Sequence, residues 1–392
     1  MTYNGQWAVA YSANGSTWTD ISSYVVNGTM RVGRQQLTDR YTPDTFSVEL
    51  LAPLTAGPAI PPVRYYLRAQ TTVGLDTVNM FLGVITDVNR DYGIPYTSAT
   101  GAAPADRITI TAASYGMYLA GRGFATSVVI GANTTLETAV NAVYDDGVST
   151  SGGPTFNGSP FSSTNVWNTA IAQDETYSGN VLDYINSVVA SVVSRLADTP
   201  SLSSGPNLLD GNYVRGNQFN FSDGAAFGTQ TQPYNQIEFL ASDNNSYTEI
   251  RVGYNSNAAT ASAVSGSQPY QTYSTVSVLE DATTAQGAAD LTLAILSQSQ
   301  YAPYRVSTKA SMMTDPSLPL QLSSMVTGRC IGTQVQIRFR STVYTVILEG
   351  YTITQDLDDA YYTFYFSPAL GQPLILDSTA FGILDTNTLG LG

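Results

Sequence analysis

Apolar and polar positions alternate along much of the first 125 residues. In "TFSVEL", Phe46, Val48 and Leu50 fall on one face, and in "RITITAA" Ile108 and Ile110 do the same. Period two over such windows marks strands with one buried face. Between them, "MFLGVITDV" is a compact apolar run holding Gly83, the pattern of a strand with a bulge or a close backbone approach. "APLTAGPAIPPVR" is a Pro/Gly connector. Together these segments predict a small antiparallel barrel or sandwich.

The period then changes. "TTLETAVNAVYDDG" places Thr134 and Glu137 at capping-box spacing, with Leu136, Val140 and Val143 on one helical face and Gly147 as the stop. "VLDYINSVVASVVSRL" sets Val181, Leu182, Ile185, Val188, Val189, Val192 and Leu196 on a broad face before Pro200. Its β-branched residues disfavour helix, so burial must hold it. "SGGPTFNGSPFSSTN" and "SLSSGPNLLDGNYVRGNQFNFSDGAAFG" read as loops.

Strand patterns return in "QIEFLA", "YTEIRVGYN" and "YSTVSVLE". A third helix, "DATTAQGAADLTLAILSQSQ", follows Asp281 as its cap. "GTQVQIRFRSTVYTVILEGYTITQD" reads as three alternating strands. Val335, Ile337 and Phe339 share one face, Val346 and Leu348 the next, and "RST" forms a turn. "AYYTFYFSPA" is an aromatic strand, with one face expected in a core and one in a subunit contact. The order gives a multidomain α+β chain, mainly β, with a helical and loop-rich middle.

Composition changes the picture by its lack of charge. Only 12% of the 392 residues are Asp, Glu, Lys or Arg, there is no histidine, and the net charge is −14. Lys309 is the only lysine. The surface must be covered by neutral polar residues and tyrosine, of which there are 26. Such surfaces associate readily, and tyrosine suits interfaces, sugar-binding faces and strands alike. The alternative source of the low charge is a genomic bias against lysine codons. Basic residues stand mostly singly, so specific binding to phosphate backbones is not expected. An acidic wall that DNA slides past remains compatible with the charge. Cys330 is alone, so no intrachain disulfide is expected. The start "MTYNGQWAVAYSANGS" lacks the pattern of a secretion signal, and no apolar run has membrane-spanning length, so no membrane insertion is expected.

Without histidine, Ser-His-Asp, Cys-His and His-metal chemistry are excluded. No Gly-rich phosphate loop ending in Lys occurs, and no cofactor is expected. The carboxylate pairs Asp145-Asp146, Asp174-Glu175 and Asp358-Asp359 would suit a glycosidase only if two faced each other across a sugar. Neighbours in a strand point to opposite faces, so adjacency is no support. Asp356, Asp358 and Asp359 could hold calcium, but their spacing is not that of the helix-loop-helix calcium loop. Solvated turns are the plainer reading of all these carboxylates.

The tail "ILDSTAFGILDTNTLGLG" is nearly uncharged and repeats "ILD". Its Ile375, Leu376, Phe381, Ile383, Leu384 and Leu389 are candidates to pack either on the chain itself or on a neighbouring protein.

One ordered series of segments resembles the phage minor tail proteins of the baseplate tail-hub family. It begins with "WTDISSYVVNGTMRVGRQQLTDRYTPDTFSVELLAP", holding Arg31, Gly33 and Arg34, then Thr45, Val48 and Leu50. It continues through "PPVRYYLRAQ", "FLGVITDVNRDYG" and "DRITITAASYGMYLAGRGF", and closes with "VILEGYTITQDLDDAYYTFYFSPA" and the tail. The match covers both ends, about 210 residues, and the middle fits only by its helices and position. The chain is poorer in charge than expected of such relatives, and no appended peptidase or lysin activity is expected.

The resemblance implies two small antiparallel β-barrel domains: residues 1–125 and 305–370. A helical and loop-rich insertion (126–235), a mixed strand/helix domain (236–304) and the apolar tail (371–392) complete the expected division. It implies a non-enzymatic virion protein, assembled in the host cytoplasm: a homotrimer at the distal end of the tail tube. Six barrels in a ring would adapt sixfold tube to threefold tip, leaving a channel for DNA and the tape-measure protein. Expected partners are the tail tube and distal tail proteins above, and tip or receptor-binding proteins below. Expected interface residues are Arg31, Arg34, Tyr362, Phe364, Phe381, Ile383, Leu384 and Leu389. The alternatives are a receptor- or carbohydrate-binding tail tip protein and a carboxylate-dependent glycosidase.

Overall fold

The computed structural model describes residues 6–53, 60–73, 75–92, 105–114, 116–121, 127–149, 170–197, 207–209, 219–224, 230–240, 247–265, 271–298, 302–313, 318, 322 and 331–369. The first seven strands are β1 (Trp7–Ser12), β2 (Thr19–Asp20), β3 (Val25–Gly33), β4 (Thr45–Pro53), β5 (Tyr66–Val73), β6 (Asp76–Asp91) and β7 (Ala105–Ala113). Next come α1 (Gly116–Ala120), β8 (Val128–Ile130), α2 (Leu136–Ser149), β9 (Glu175–Tyr177), α3 (Val181–Ser191), β10 (Arg195–Ala197) and β11 (Asn207–Leu209). Three short strands follow: β12 (Asn220–Ser222), β13 (Thr231–Pro233) and β14 (Gln236–Phe239). Then come β15 (Glu249–Tyr254), β16 (Ala259–Val264), β17 (Thr272–Val276) and α4 (Ala282–Gln298). The last four strands are β18 (Pro303–Lys309), β19 (Gln334–Phe339), β20 (Thr342–Gln355) and β21 (Ala360–Pro368).

Fourteen strands, β1–β7 and β18–β21 from the two ends of the chain and β12–β14 from its middle, form one mainly antiparallel sheet. Its hinge is β20. One edge of β20 pairs with β19 through its first half and with β3 through its second, and β21 lies along the other edge. From β3 the sheet runs β4–β7–β6–β5–β1–β2, and from β21 it runs to β18 and β14. Each half curls. In the first, the Trp7 N–H donates to the Gln355 side-chain Oε1 at 3.2 Å, and Trp7 lies against Gly28, where an added Cβ would come within 3.0 Å of its ring. In the second, the stretch from Thr231 to Phe239 bends from β12 to β18, and the Asn235 N–H donates to the Ser307 carbonyl at 2.9 Å. No continuous ladder closes either half among the described residues. The expected small barrels therefore take the form of two curled halves, merged by the β3–β20 pairing.

One core fills both halves. Trp7 meets Phe46 edge-on at 5.3 Å, and Phe46 meets Phe81 at 5.4 Å. Phe219 and Phe221 pack on Phe364 in the other half at 5.8 and 5.2 Å, and Met30, Tyr351 and Ile353 join the two groups. Gly83 sits where β6 passes from pairing with β5 to pairing with β7: an added Cβ would lie 2.2 Å from the Ala113 carbonyl oxygen, the close approach its sequence context predicted. A second core holds the middle of the chain. There α4 packs on the three-stranded sheet β16–β15–β17, beside α1, α2 and α3.

Three elements depart from the sequence pattern. The cap of α2 is Thr135 rather than Thr134: Thr135 Oγ1 accepts from the Thr138 N–H at 3.3 Å, while Thr134 Oγ1 donates to the Gly131 carbonyl. The same helix runs through Gly147 to Ser149. The apolar face of α3 predicts helix to Leu196, but the helix stops at Ser191. Val193 takes φ of 54° and the Ser194 N–H bonds back to the Val189 carbonyl, a left-handed ending usually made by glycine. Finally, the three strands expected over residues 332–356 are two. β19 and β20 join through Arg340 and Ser341, both at positive φ, and β20 continues through a bulge between Leu348 and Gly350.

Candidate assembly surface

The face of the large sheet turned away from its core forms a continuous polar surface across seven strands, from β18 to β6. Strand register fixes its rows. One runs Ser307, Thr363, Thr352, Arg31, Thr45 and Ala113. The next runs Lys309, Tyr361, Thr354, Thr29, Ser47, Thr111 and Asp87. None of these residues is buried. Their alternate neighbours, among them Val306, Phe364, Ile353, Met30, Phe46 and Ile110, are wholly buried in the core. The period-two pattern thus puts the hydroxyls on one side by the same geometry that puts the aromatics on the other.

This surface is chemically plain. Hydroxyls bond across strands, Ser307 to Thr363 at 3.2 Å and Ser47 to Thr111 at 3.4 Å. Arg31 stands near its middle, while Lys309 and Asp87 mark its two margins. A face of neutral hydroxyls offers neither the clustered cations that grip phosphates nor the apolar centre of a dry protein contact.

Behind it lies a buried charge cluster. The β20 bulge turns Glu349 into the interior, where it is fully enclosed. Its Oε2 accepts from Arg34 Nε at 3.0 Å. Its Oε1 accepts from Arg195 Nε at 3.0 Å, from Arg195 Nη2 at 2.5 Å and from Ser367 Oγ at 2.5 Å. Arg34 Nη2 also donates to the Ser194 carbonyl at 3.3 Å. Burial pushes the Glu349 carboxyl up, but the charges of Arg195 and Arg34 and the hydrogen bonds from Arg195 and Ser367 outweigh it and hold the group at about 2. Burial in turn lowers Arg34 despite the attraction of Glu349. Two glycines make room. An added Cβ at Gly33, where φ is +69°, would lie 2.4 Å from the Glu349 carbonyl oxygen, and one at Gly350 2.3 Å from that of Arg34. The cluster ties the end of β3, the turn after α3 with the start of β10, and the β20–β21 pair together.

The expected interface residues separate accordingly. Arg31 is exposed on the hydroxyl face, whereas the Arg34 side chain is turned into the charge cluster. Tyr362 and Phe364 are wholly enclosed in the chain's own core; on that strand Tyr361 is the outward-facing aromatic, and Tyr365 lies against Tyr304. Phe381, Ile383, Leu384 and Leu389 lie outside the described residues, as do Ile375, Leu376 and Cys330. Sequence patterning missed Glu349 and Arg195. The available signal was a lone carboxylate beside a glycine within the apolar run "VILEG".

Of the carboxylates weighed for catalysis or calcium, Asp356 and Asp359 serve local structure. Asp356 Oδ1 accepts from the N–H groups of Asp358 and Asp359, both at 2.8 Å, and Asp359 binds the Ser311 N–H and hydroxyl. Glu175 is raised by burial against a hydrogen bond from Gln173. No group of three or more His, Cys, Asp or Glu among the described residues is placed to hold a metal ion, and no described helix is long and apolar enough to cross a membrane.

No protein-family model and no curated protein sequence matches the chain. Solved structures do. A tail protein from Neisseria meningitidis MC58 is similar with a TM-score of 0.58 at 11% identity, over 93% of this chain and 97% of that one. The 43 kDa tail protein of prophage MuSo2 from Shewanella oneidensis gives 0.56 at 11% identity, over 92% and 96%. Prophage tail protein gp18 from Listeria monocytogenes EGD-e gives 0.50 at 10% identity, over 91% and 94%. At such identities the likeness is one of fold, and it extends over nearly the whole length of each protein: this chain has the fold of phage tail proteins.

Proposed function

We propose that the chain is a structural, non-enzymatic protein of a phage tail: a trimeric hub at the distal end of the tail tube, with the hydroxyl face lining an axial channel. Each chain contributes two curled halves, and three chains contribute six. That number matches a sixfold tube above and a threefold tip below. The tube and tape-measure protein are the partners on one side, and tip or receptor-binding proteins those on the other.

The observation that carries this reading is the neutral face spanning both halves. DNA in transit must be neither held nor blocked. A polyanion is not retained by hydroxyls, and the net charge of −14 opposes its adhesion. The merging of the halves through β3 and β20 supports a rigid wall rather than two independently moving domains. The fold shared with phage tail proteins supports the same reading.

The test is the mass of the purified protein in solution, together with negative-stain images. Threefold rings with a central hole are expected. A protein that stays monomeric across assembly conditions, or a ring whose interior is reached by residues of the second core instead of Thr29 and Thr352, overturns the reading.

A further inference from the structure

The ends of the seven strands are not alike. At one end the second core packs around the Glu349 cluster. At the other end β3, β7 and β21 begin and β4, β6, β18 and β20 finish, as their registers require. Five large apolar side chains stand exposed along this second rim. Leu51 lies two residues before the end of β4, and Tyr92 follows β6. Leu357 occupies the turn between β20 and β21, Tyr361 is the second residue of β21, and Met312 follows β18. Leu357 and Tyr92 are more than half exposed, at 62% and 66%.

Arg90 stacks over the Tyr92 ring and Lys309 over that of Tyr361, but among the described residues Leu51, Leu357 and Met312 have no such partner. The β20–β21 turn is held by Asp356 and Asp359, so Leu357 contributes no closure. Large apolar side chains gathered at one sheet end mark a contact surface. Charge says what meets it. Arg107 is answered by Glu49, and Arg90 by Asp106. Lys309 lies over the Tyr361 ring. Asp91 and Asp358 are exposed and form no ion pair among the described residues. The rim is therefore apolar with unanswered negative charge.

We propose that this rim is the docking surface for a different protein, one that presents apolar side chains flanked by lysine or arginine. A second copy is disfavoured by charge: rim against rim would oppose two surfaces on each of which the exposed Asp91 and Asp358 outnumber Lys309, in a chain of net charge −14. The proposal deepens the tail-hub reading by assigning an axial contact to the rim opposite the second core.

The test is photo-crosslinking within the purified particle. Benzoylphenylalanine replaces Leu357 in one variant and Tyr92 in another, with Ser274 on the three-stranded sheet as a control. Both rim positions are expected to crosslink to the same second polypeptide, at a segment containing Lys or Arg, and Ser274 is not. Asp358→Lys should lower the Tyr92 crosslink yield several-fold while the chain remains in the particle. Crosslinks to another copy of this chain, to segments lacking basic residues, or to nothing overturn the proposal and leave the tail-hub reading standing. Absence of the chain from the particle overturns both.

Discussion

Glu349 Oε1 lies 3.0 Å from Nε of Arg195 and 2.5 Å from its Nη2, across 154 positions of sequence. This two-pronged contact is enclosed on all sides, with Arg34 on the other carboxylate oxygen. Removing one member of a buried ion pair leaves an uncompensated charge, which costs about 3–5 kcal/mol. Glu349→Ala is therefore expected to lower the urea midpoint strongly and to loosen the second core from the sheet. Replacing Glu349 and Arg195 together with apolar residues should recover part of the loss. A single Glu349→Ala variant with unchanged midpoint would refute the role.

The same group sets an acid limit. Its folded value is depressed, to about 2 from a reference of 4.5. It therefore contributes stability that is fully present above pH 4.5 and is lost as pH falls towards 2. The linked free energy is roughly 3 kcal/mol. Denaturant midpoints measured between pH 5 and pH 2 should fall steeply in the wild type. In Glu349→Gln this part of the slope should be missing.

Gly83 tests the corner of the first half. An added Cβ would lie 2.2 Å from the Ala113 carbonyl oxygen, a backbone atom that cannot swing away. Gly83→Ala is expected to cost about 1–3 kcal/mol through overpacking. Gly287→Ala is the control, since nothing lies within 4 Å of its added Cβ and alanine favours helix; thermal melts of the two should move in opposite directions.

The start of α2 offers a one-residue discrimination. Thr135→Ala removes the cap that accepts from the Thr138 N–H and should cost about 1 kcal/mol. Thr134→Ala should cost less. Equal or reversed losses in chemical denaturation would return the cap to the position that the capping-box spacing indicated.

The hydroxyl face makes a prediction about DNA. The wild type should show no retention of duplex DNA at physiological salt. Thr352→Lys combined with Thr363→Lys should create salt-sensitive retention, because neighbouring cations on one face act together on phosphates. Tight binding by the wild type would remove the basis for a neutral channel wall.

Much of the architecture was legible because strand period is local. Phe46, Val48 and Leu50 alternate inward as written, and Asp281 caps α4 with its Oδ1 2.8 Å from the Thr284 N–H. What escaped was decided by distant partners. The apolar face of α3 continues past Ser191 on the page, yet the chain breaks at Val193 and delivers Arg195 to Glu349. Single-sequence periodicity holds no information about a carboxylate 154 positions away. Tyr362 and Phe364 were expected at an interface for a similar reason: the alternation separates two faces of β21 without saying which is covered by the chain itself. Arg34 looked like a surface cation until the bulge at Glu349 placed a partner beside it.

The hydrogen bond from the Trp7 N–H to Gln355 joins positions 348 apart, and this sets a timetable for biosynthesis. At about 5–20 residues per second, a ribosome needs roughly 20 to 70 s between the two. For that interval β1 and β3 have emerged without the strand that completes their half. The second core, whose elements all precede residue 299, has all its parts before β20 exists. The nascent protein must then hold a helical globule between two unfinished edges, and those edges are open to pairing with other chains until the last strands leave the exit tunnel.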